Sequence, residues 1–331
     1  MLLASHSQAL IDWVAGELCK QYAMTDMGEV RKYVGLYISH DREAGEMWVH
    51  QGPYITAMAE KYGVSGDSFP DTPLPYDFVL EHPWELAEEE PPPNFQGKPD
   101  PLLSHEGVKR YQQIVGALNY VAHSVWLDVA YAVNQLSRAT RAPRGRHMAA
   151  AERCVLYLLG TANYGLHFTK RQGMNLECFV DANYSGTGSK KSMTGYLLCV
   201  GGAPVHWTSR KQDRVTTSTC DAESYATMAA VQYVEYLRDL LAELGCMQMS
   251  PTPVFNDNTA TVRLCIDPVA HKKSVQLTRP MAYVRERTQF GLVAPLYINT
   301  KDQPADFLPK RLDGPAFTRC RELCALHDIP C

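Results

Sequence analysis

The sequence has no excess of positive charge, no long apolar run and no paired-cysteine framework. Across 331 residues, 32 Lys and Arg stand against 36 Asp and Glu, a formal net charge of −4. A global basic field of the kind that draws in nucleic acid is therefore absent, and any phosphate-binding surface has to be local. No segment reaches the ~18 to 20 apolar residues that a membrane span needs. The opening MLLASHSQALIDWV has no basic n-region, and Asp12 interrupts its apolar run, which reads against a secretory signal. The expected location is intracellular, cytoplasmic or nuclear, with no membrane partner. The 10 Cys are scattered, and Cys178, Cys199 and Cys265 lie inside apolar runs, the pattern of buried free thiols in a reducing compartment. Cys320, Cys324 and His327 have no second pair with the spacing of a structural zinc site. There is no internal repeat.

What is present is the composition of a soluble globular protein, 45% hydrophobic and 21% charged, at a length that suits two or three domains. Leu10, Val14 and Leu18 share one face of a helix over 7–22 that Ser7 can cap. Residues 30–51 alternate around D-R-E-A-G, a strand pair, and 54–64 reads as a short helix. An acidic, Pro-rich connector over 81–101 separates this block from helices at 108–125 and 147–161. From about residue 175 the pattern becomes mixed. LECFVD is a strand, 195–209 is two apolar runs divided by Gly201-Gly202, and 214–219 can complete three antiparallel strands. A long helix from about Asp221 to Leu244 follows, then a strand at 253–257, a helix near 259–266, a strand at 293–299 and a last helix opening at Pro304. This is an α/β layer architecture.

Four acids fall at element ends in this pattern: Asp181, Glu223, Asp257 and Asp306. Each has an ordinary reading, as a turn residue, a helix-dipole partner, an Asx cap and a first-turn acid respectively. Ala226, Thr227 and Ala230 leave Glu223 on a small-residue helix face that can lie close to a sheet. The alternative is convergence beyond the strand ends, where carboxylates repel unless a cation sits among them. Oxygen ligands of this kind suit Mg²⁺, with Mn²⁺ as a substitute, and two such ions serve phosphodiester hydrolysis.

The surrounding motifs favour convergence. FVDANYSG, KKSMTGYLLCVGGAPVHWTSRKQDRVTTSTCDAESYA, PVFNDNTATVRL and QPADFLPK, in that order, resemble the ribonuclease H domain of Ty1/copia-type retrotransposon Pol polyproteins. The resemblance implies a ribonuclease H-like mixed sheet with flanking helices and puts the family's metal-binding acids on Asp181, Glu223, Asp257 and Asp306, with Glu223 preferred to the nearby Asp221. It implies two Mg²⁺ ions, an RNA–DNA hybrid as substrate, and cleavage of its RNA strand. Upstream, 111–161 resembles the segment between polymerase and ribonuclease H, and the first block resembles the end of a reverse transcriptase palm and thumb. In the family, M-L-L-A follows the polymerase's catalytic aspartates, so no polymerase activity is expected from this chain alone. A separate polymerase segment or other element-encoded proteins are then candidate partners. The expected division is 1–75 palm end and thumb, 76–107 linker, 108–170 helical connection, 171–312 ribonuclease H-like domain and 313–331 tail.

On the substrate side, Lys190, Lys191, Arg210, Lys211 and Arg214 cluster around the hairpin, either as a solvated strand face or as phosphate contacts. Asn183, Ser192, Thr194 and Asn258 are candidates to hydrogen-bond sugars or phosphates. Trp207, inside an apolar hairpin, reads as core rather than as a base-stacking platform. The family's K-H-I-D/E motif is replaced here: its histidine falls on Gln276 and its acid on Thr278, which favours the alternative of a catalytically decayed, nucleic-acid-binding relic. Pro280 is expected to break or kink its helix. An integrase-type nuclease of the same fold is a third reading, against which stands the placement of the second acid on a long helix.

Overall fold

A computed structural model describes residues 1–5, 7–76, 78, 100–184, 191–267 and 275–330. Most of the acidic Pro-rich connector, Lys190 and His271 lie outside them. So do the side chains of Gln276 and Thr278.

The chain begins with α1 (Gln8–Gln21), capped by the Ser7 side chain. No residue of α1 is buried: on the expected apolar face Leu10 is exposed and Val14 and Leu18 are half-buried. Strands β1 (Lys32–Tyr33), β2 (Leu36–Asp41) and β3 (Glu46–His50) and helix α2 (Gly52–Tyr62) follow. A helical layer then comprises α3 (His105–Ala122), α4 (Ala130–Arg138) and α5 (Gly145–Gly160), and β4 (Tyr164–Thr169) leads out of it. The remaining elements are β5 (Leu176–Asn183), β6 (Met193–Val200), β7 (Ala203–Lys211), α6 (Thr219–Glu243), β8 (Thr252–Asn256), α7 (Thr259–Ile266), α8 (Val275–Gln289), β9 (Val293–Tyr297), α9 (Gly314–Leu323) and β10 (Leu326–Asp328).

The strands form two sheets, ordered β1-β2-β3-β4-β10 and β7-β6-β5-β8-β9. In the second, β5, β6 and β7 are antiparallel neighbours, while β8 lies parallel to both β5 and β9. The β6–β7 turn is Gly201-Gly202, with φ of 57° and 74°. Both central residues of this tight hairpin need the left-handed region that glycine enters freely. Helix α6 lays Ala222, Ala226 and Ala230, all fully buried, toward this sheet. Such small side chains let the helix backbone approach the strands closely.

Three expectations are corrected. Residues 214–218 form no strand; Ser218 instead accepts from the Asp221 amide as the N-cap of α6. Residues 304–309 form turns, and the last helix opens ten residues after Pro304, at Gly314. Helix α8 runs through Pro280, with Met281 and Val284 buried in the core just beyond it. Within 313–330, β10 pairs with β4, and Phe317, Cys320, Cys324 and Leu326 share one core with α2, α3, α4 and α5. A three-residue strand carries too little periodicity to read from sequence.

Candidate metal centre

The centre of the second sheet sets the site. Asp181 follows Val180, which is in register with Asn256 at the end of the parallel strand β8. Asp257 is the next residue after β8, so both acids emerge at the carboxyl end of a parallel pair, where open α/β sheets place their sites. Glu223 comes from the start of α6, which crosses from β7 to β8. One carboxylate oxygen from each of Asp181, Glu223 and Asp257 lies within 4.8 Å of the others. Asp181 and Glu223 are each only 2% exposed.

Glu223 is held on both oxygens. The Ala182 amide donates to Oε1 at 3.2 Å, and Asn256 Nδ2 donates to Oε2 at 2.9 Å. Asp257 accepts from Thr300 Oγ1 at 2.8 Å. Asp221, two residues from Glu223, is turned away: it pairs with Arg214 and accepts from the Thr217 amide at 2.9 Å. Asp306 reaches the cluster through a cation. Lys310 Nζ lies 3.3 Å from Asp181 Oδ2 and also pairs with Asp306 Oδ1. The turn segment carrying Asp306 and Lys310 is tied to β5, where Gln303 Nε2 donates to the Val180 carbonyl at 3.0 Å.

The electrostatics follow from burial and crowding. Burial, then Glu223, holds the Asp181 carboxyl well above the usual carboxylate range. Burial pushes Glu223 up to about 8, against the Asn256 hydrogen bond that lowers it. For Lys310, burial favours the neutral form, but Asp181 and Asp306 outweigh it and hold the ammonium charged. Carboxyl groups so disposed ionise together only with a cation among them. The residues fit a hard divalent ion: the donors are all oxygen, and Asp181 Oδ2, buried, has no partner besides the Lys310 ammonium.

The remaining sequence candidates are placed as follows. Asn183 ends β5, part-buried. Ser192 is fully buried and shares a hydrogen bond with Thr216, so its hydroxyl faces the interior. Thr194 is buried and accepts from Gln212. Asn258 caps α7 by accepting from the Thr261 amide. Lys191, Arg210 and Lys211 stand at the hairpin ends, with Lys191 donating to the Asp213 carbonyl. Trp207 is core, its indole N–H on the Ala122 carbonyl at 2.7 Å. Sequence reasoning gave no role to Asn256, Gln303, Lys310 or Arg138. Lys310 closes the quoted QPADFLPK, so its motif was visible. Arg138, at the end of α4, sits near Lys211 from a distant part of the chain, and no local signal announces it.

The strand order, the three consecutive antiparallel strands β5–β7 and the α6 crossover to the parallel strand β8 define a ribonuclease H-like fold. No protein-family model matches the chain. It is 33% identical over 239 residues to the retrovirus-related Pol polyprotein from transposon RE1 of Arabidopsis thaliana, covering 70% of this chain and 16% of that one. It is 30% identical over 228 residues to a transposon Ty5-1 protein of Saccharomyces cerevisiae, covering 69% and 68%. It is also 27% identical over 328 residues to the Pol polyprotein from transposon TNT 1-94 of Nicotiana tabacum, covering 99% and 24%. Of solved structures, LC11-RNase H1 in complex with RNA/DNA hybrid matches 40% of this chain and 93% of its own, at 17% identity and a TM-score of 0.32. The chain belongs to the retrovirus-related Pol proteins of Ty/copia-type transposons. It spans about a sixth of the length of the RE1 polyprotein.

Proposed function

We propose that residues 176–310 form a ribonuclease H that hydrolyses the RNA strand of RNA–DNA hybrids, with Asp181, Glu223, Asp257 and Asp306 as ligands for Mg²⁺. The observation that carries this reading is the meeting of three carboxylates from three elements distant in sequence, within 4.8 Å. Two divalent ions bound there would polarise the phosphodiester and make a water nucleophilic near neutral pH. The chain's own contribution is placement. Asn256 and the Ala182 amide fix Glu223, Thr300 fixes Asp257, and the Gln303 tether fixes the segment bearing Asp306.

Substrate is held beside these acids by the hairpin. Gly195 of β6 is opposite Asp181, and two residues along, Met193 pairs with Lys211. Lys211 therefore lies at the same end of the sheet as the acids, two strands away, or roughly 10 Å at ordinary strand spacing. Arg210 is exposed beside it. Lys191, Arg210 and Lys211 contact backbone phosphates and set the strand's position; Arg138 joins them from α4.

The test is the full chain incubated with Mg²⁺ and a hybrid labelled in its RNA strand, with duplex DNA alongside. Cleavage of the RNA strand only, leaving 5′-phosphate and 3′-hydroxyl ends, is expected. Binding of the hybrid without any cut would instead support a decayed nucleic-acid-binding relic, the reading favoured by Gln276. Strand transfer on duplex DNA would support an integrase-type activity.

A further inference from the structure

The position between Asp181 and Asp306 is already filled by part of the chain. Lys310 Nζ is 3.3 Å from Asp181 Oδ2 and pairs with Asp306 Oδ1. Apart from Lys310, neither oxygen has a hydrogen-bond partner. The two acids are nearly buried, with side chains 3% and 11% exposed, whereas the Lys310 side chain is 31% exposed. The Lys310 side chain therefore reaches the surface along part of its length, where the two carboxylates do not. Its starting point is fixed: Ala305, Phe307 and Leu308 are buried, Gln303 is bonded to β5, and the segment 308–309 lies against Gly195. The triad of Asp181, Glu223 and Asp257 shares Asp181 with this position, while Glu223 and Asp257 form no ion pair with Lys310.

We propose that Lys310 is an intramolecular counter-ion that holds the Asp181–Asp306 position against a second divalent ion. Metal loading is then sequential. The first ion enters the Asp181–Glu223–Asp257 triad, and the second enters only when Lys310 turns outward. A +1 and a +2 charge sharing the same two carboxylates in a part-buried site repel strongly, so the two states exclude each other. This inference rests on the carboxylate cluster being a metal centre and adds the order in which the ions bind.

The experiment is a Mn²⁺ titration of the full chain without nucleic acid, read by the loss of the free-ion electron paramagnetic resonance signal. Wild type is expected to bind one ion, with the second at least about tenfold weaker. Lys310→Gln is expected to bring the second ion to within a few-fold of the first, and Lys310→Arg to keep the gap. Melting curves establish that the variants fold; should Lys310→Gln fail to fold, Lys310→Met, neutral and of similar length, makes the same comparison. Two equally tight ions in wild type, or an unchanged gap in a folded neutral variant, would overturn the proposal. Binding of no Mn²⁺ by wild type would overturn both it and the metal-centre reading, a result distinct from either of these.

Discussion

Gly195 is pressed against Pro309: a Cβ added to Gly195 would lie 2.4 Å from Pro309 Cδ and 2.7 Å from Leu308 Cβ. This contact brings the segment carrying Asp306 and Lys310 down onto the middle of the sheet, opposite Asp181, the register partner of Gly195. A backbone nitrogen, Pro309 N, would also lie 2.9 Å away, so no simple rotation of a flexible side chain makes room. Gly195→Ala is therefore expected to cost about 1–3 kcal/mol in stability, the range of overpacking in a tight core. It is also expected to lower hybrid cleavage by at least about tenfold, because small misplacements of catalytic groups are costly. Thermal melting and a cleavage assay on the same preparation check both parts.

The second prediction concerns Arg138. Asn134 Nδ2 donates to the Ser209 carbonyl at 3.0 Å, docking α4 on β7. Burial, then Arg138 and Lys191, lowers the Lys211 pKa, which places three cations near one another. If they hold a phosphate, Arg138→Gln should weaken hybrid binding and flatten the plot of log K against log salt concentration by about one unit of slope. Fluorescence anisotropy at several salt concentrations measures it. An unchanged slope would remove Arg138 from the interface.

How far these features could be read beforehand depended on whether the signal was local. The hairpin at Gly201-Gly202, the long helix stopped by Gly245, the strand carrying Asp181 and the strand leading to Asp257 all lie in short stretches whose periodicity and turn residues act locally. Helix α4 was missed. Its nine residues carry a clear apolar face, but they follow directly on a short 3₁₀ turn and offer no capping residue. The segment 304–309 was misread as a helix because Pro304 and Asp306 suit a first helical turn. Tertiary packing decided otherwise, since Pro309 and the contact with Gly195 hold it in turns. The pairing of β10 with β4 joins residues more than 150 apart and has no local trace. Within the candidate site, Asp181, Glu223 and Asp257 stand in motifs at element ends, where their meeting could be expected from sequence. The role of Lys310 could not, because it exists only once Asp181 and Asp306 are brought to either side of it.

A third prediction concerns pH. His147 is fully buried, and its Nδ1 accepts from the Arg144 amide at 3.0 Å, closing the start of α5. Burial, then Arg146, pushes its pKa down to about 4. Protonation is thus easier in the unfolded chain. The stabilisation is complete above about pH 6.5 and is lost as pH falls through 6.5 toward 4. His147→Gln retains an acceptor and cannot take up the proton. It should reduce the loss of stability over that window by at most about 1.4 kcal/mol per pH unit, measured by urea unfolding at a series of pH values. Parallel curves for the variant and wild type would show that His147 does not titrate with folding.

The central claim is that Asp181, Glu223 and Asp257 together hold a divalent cation. The most direct measurement is the melting temperature of the full chain as Mg²⁺ is raised, for wild type and for Asp181→Asn. An ion bound only by the folded state stabilises it in proportion to the logarithm of its concentration once the site is filled. Wild type is predicted to melt progressively higher, while Asp181→Asn, folded and relieved of one buried charge, stays nearly flat. Equal rises in both proteins, or no rise in wild type, would contradict the account.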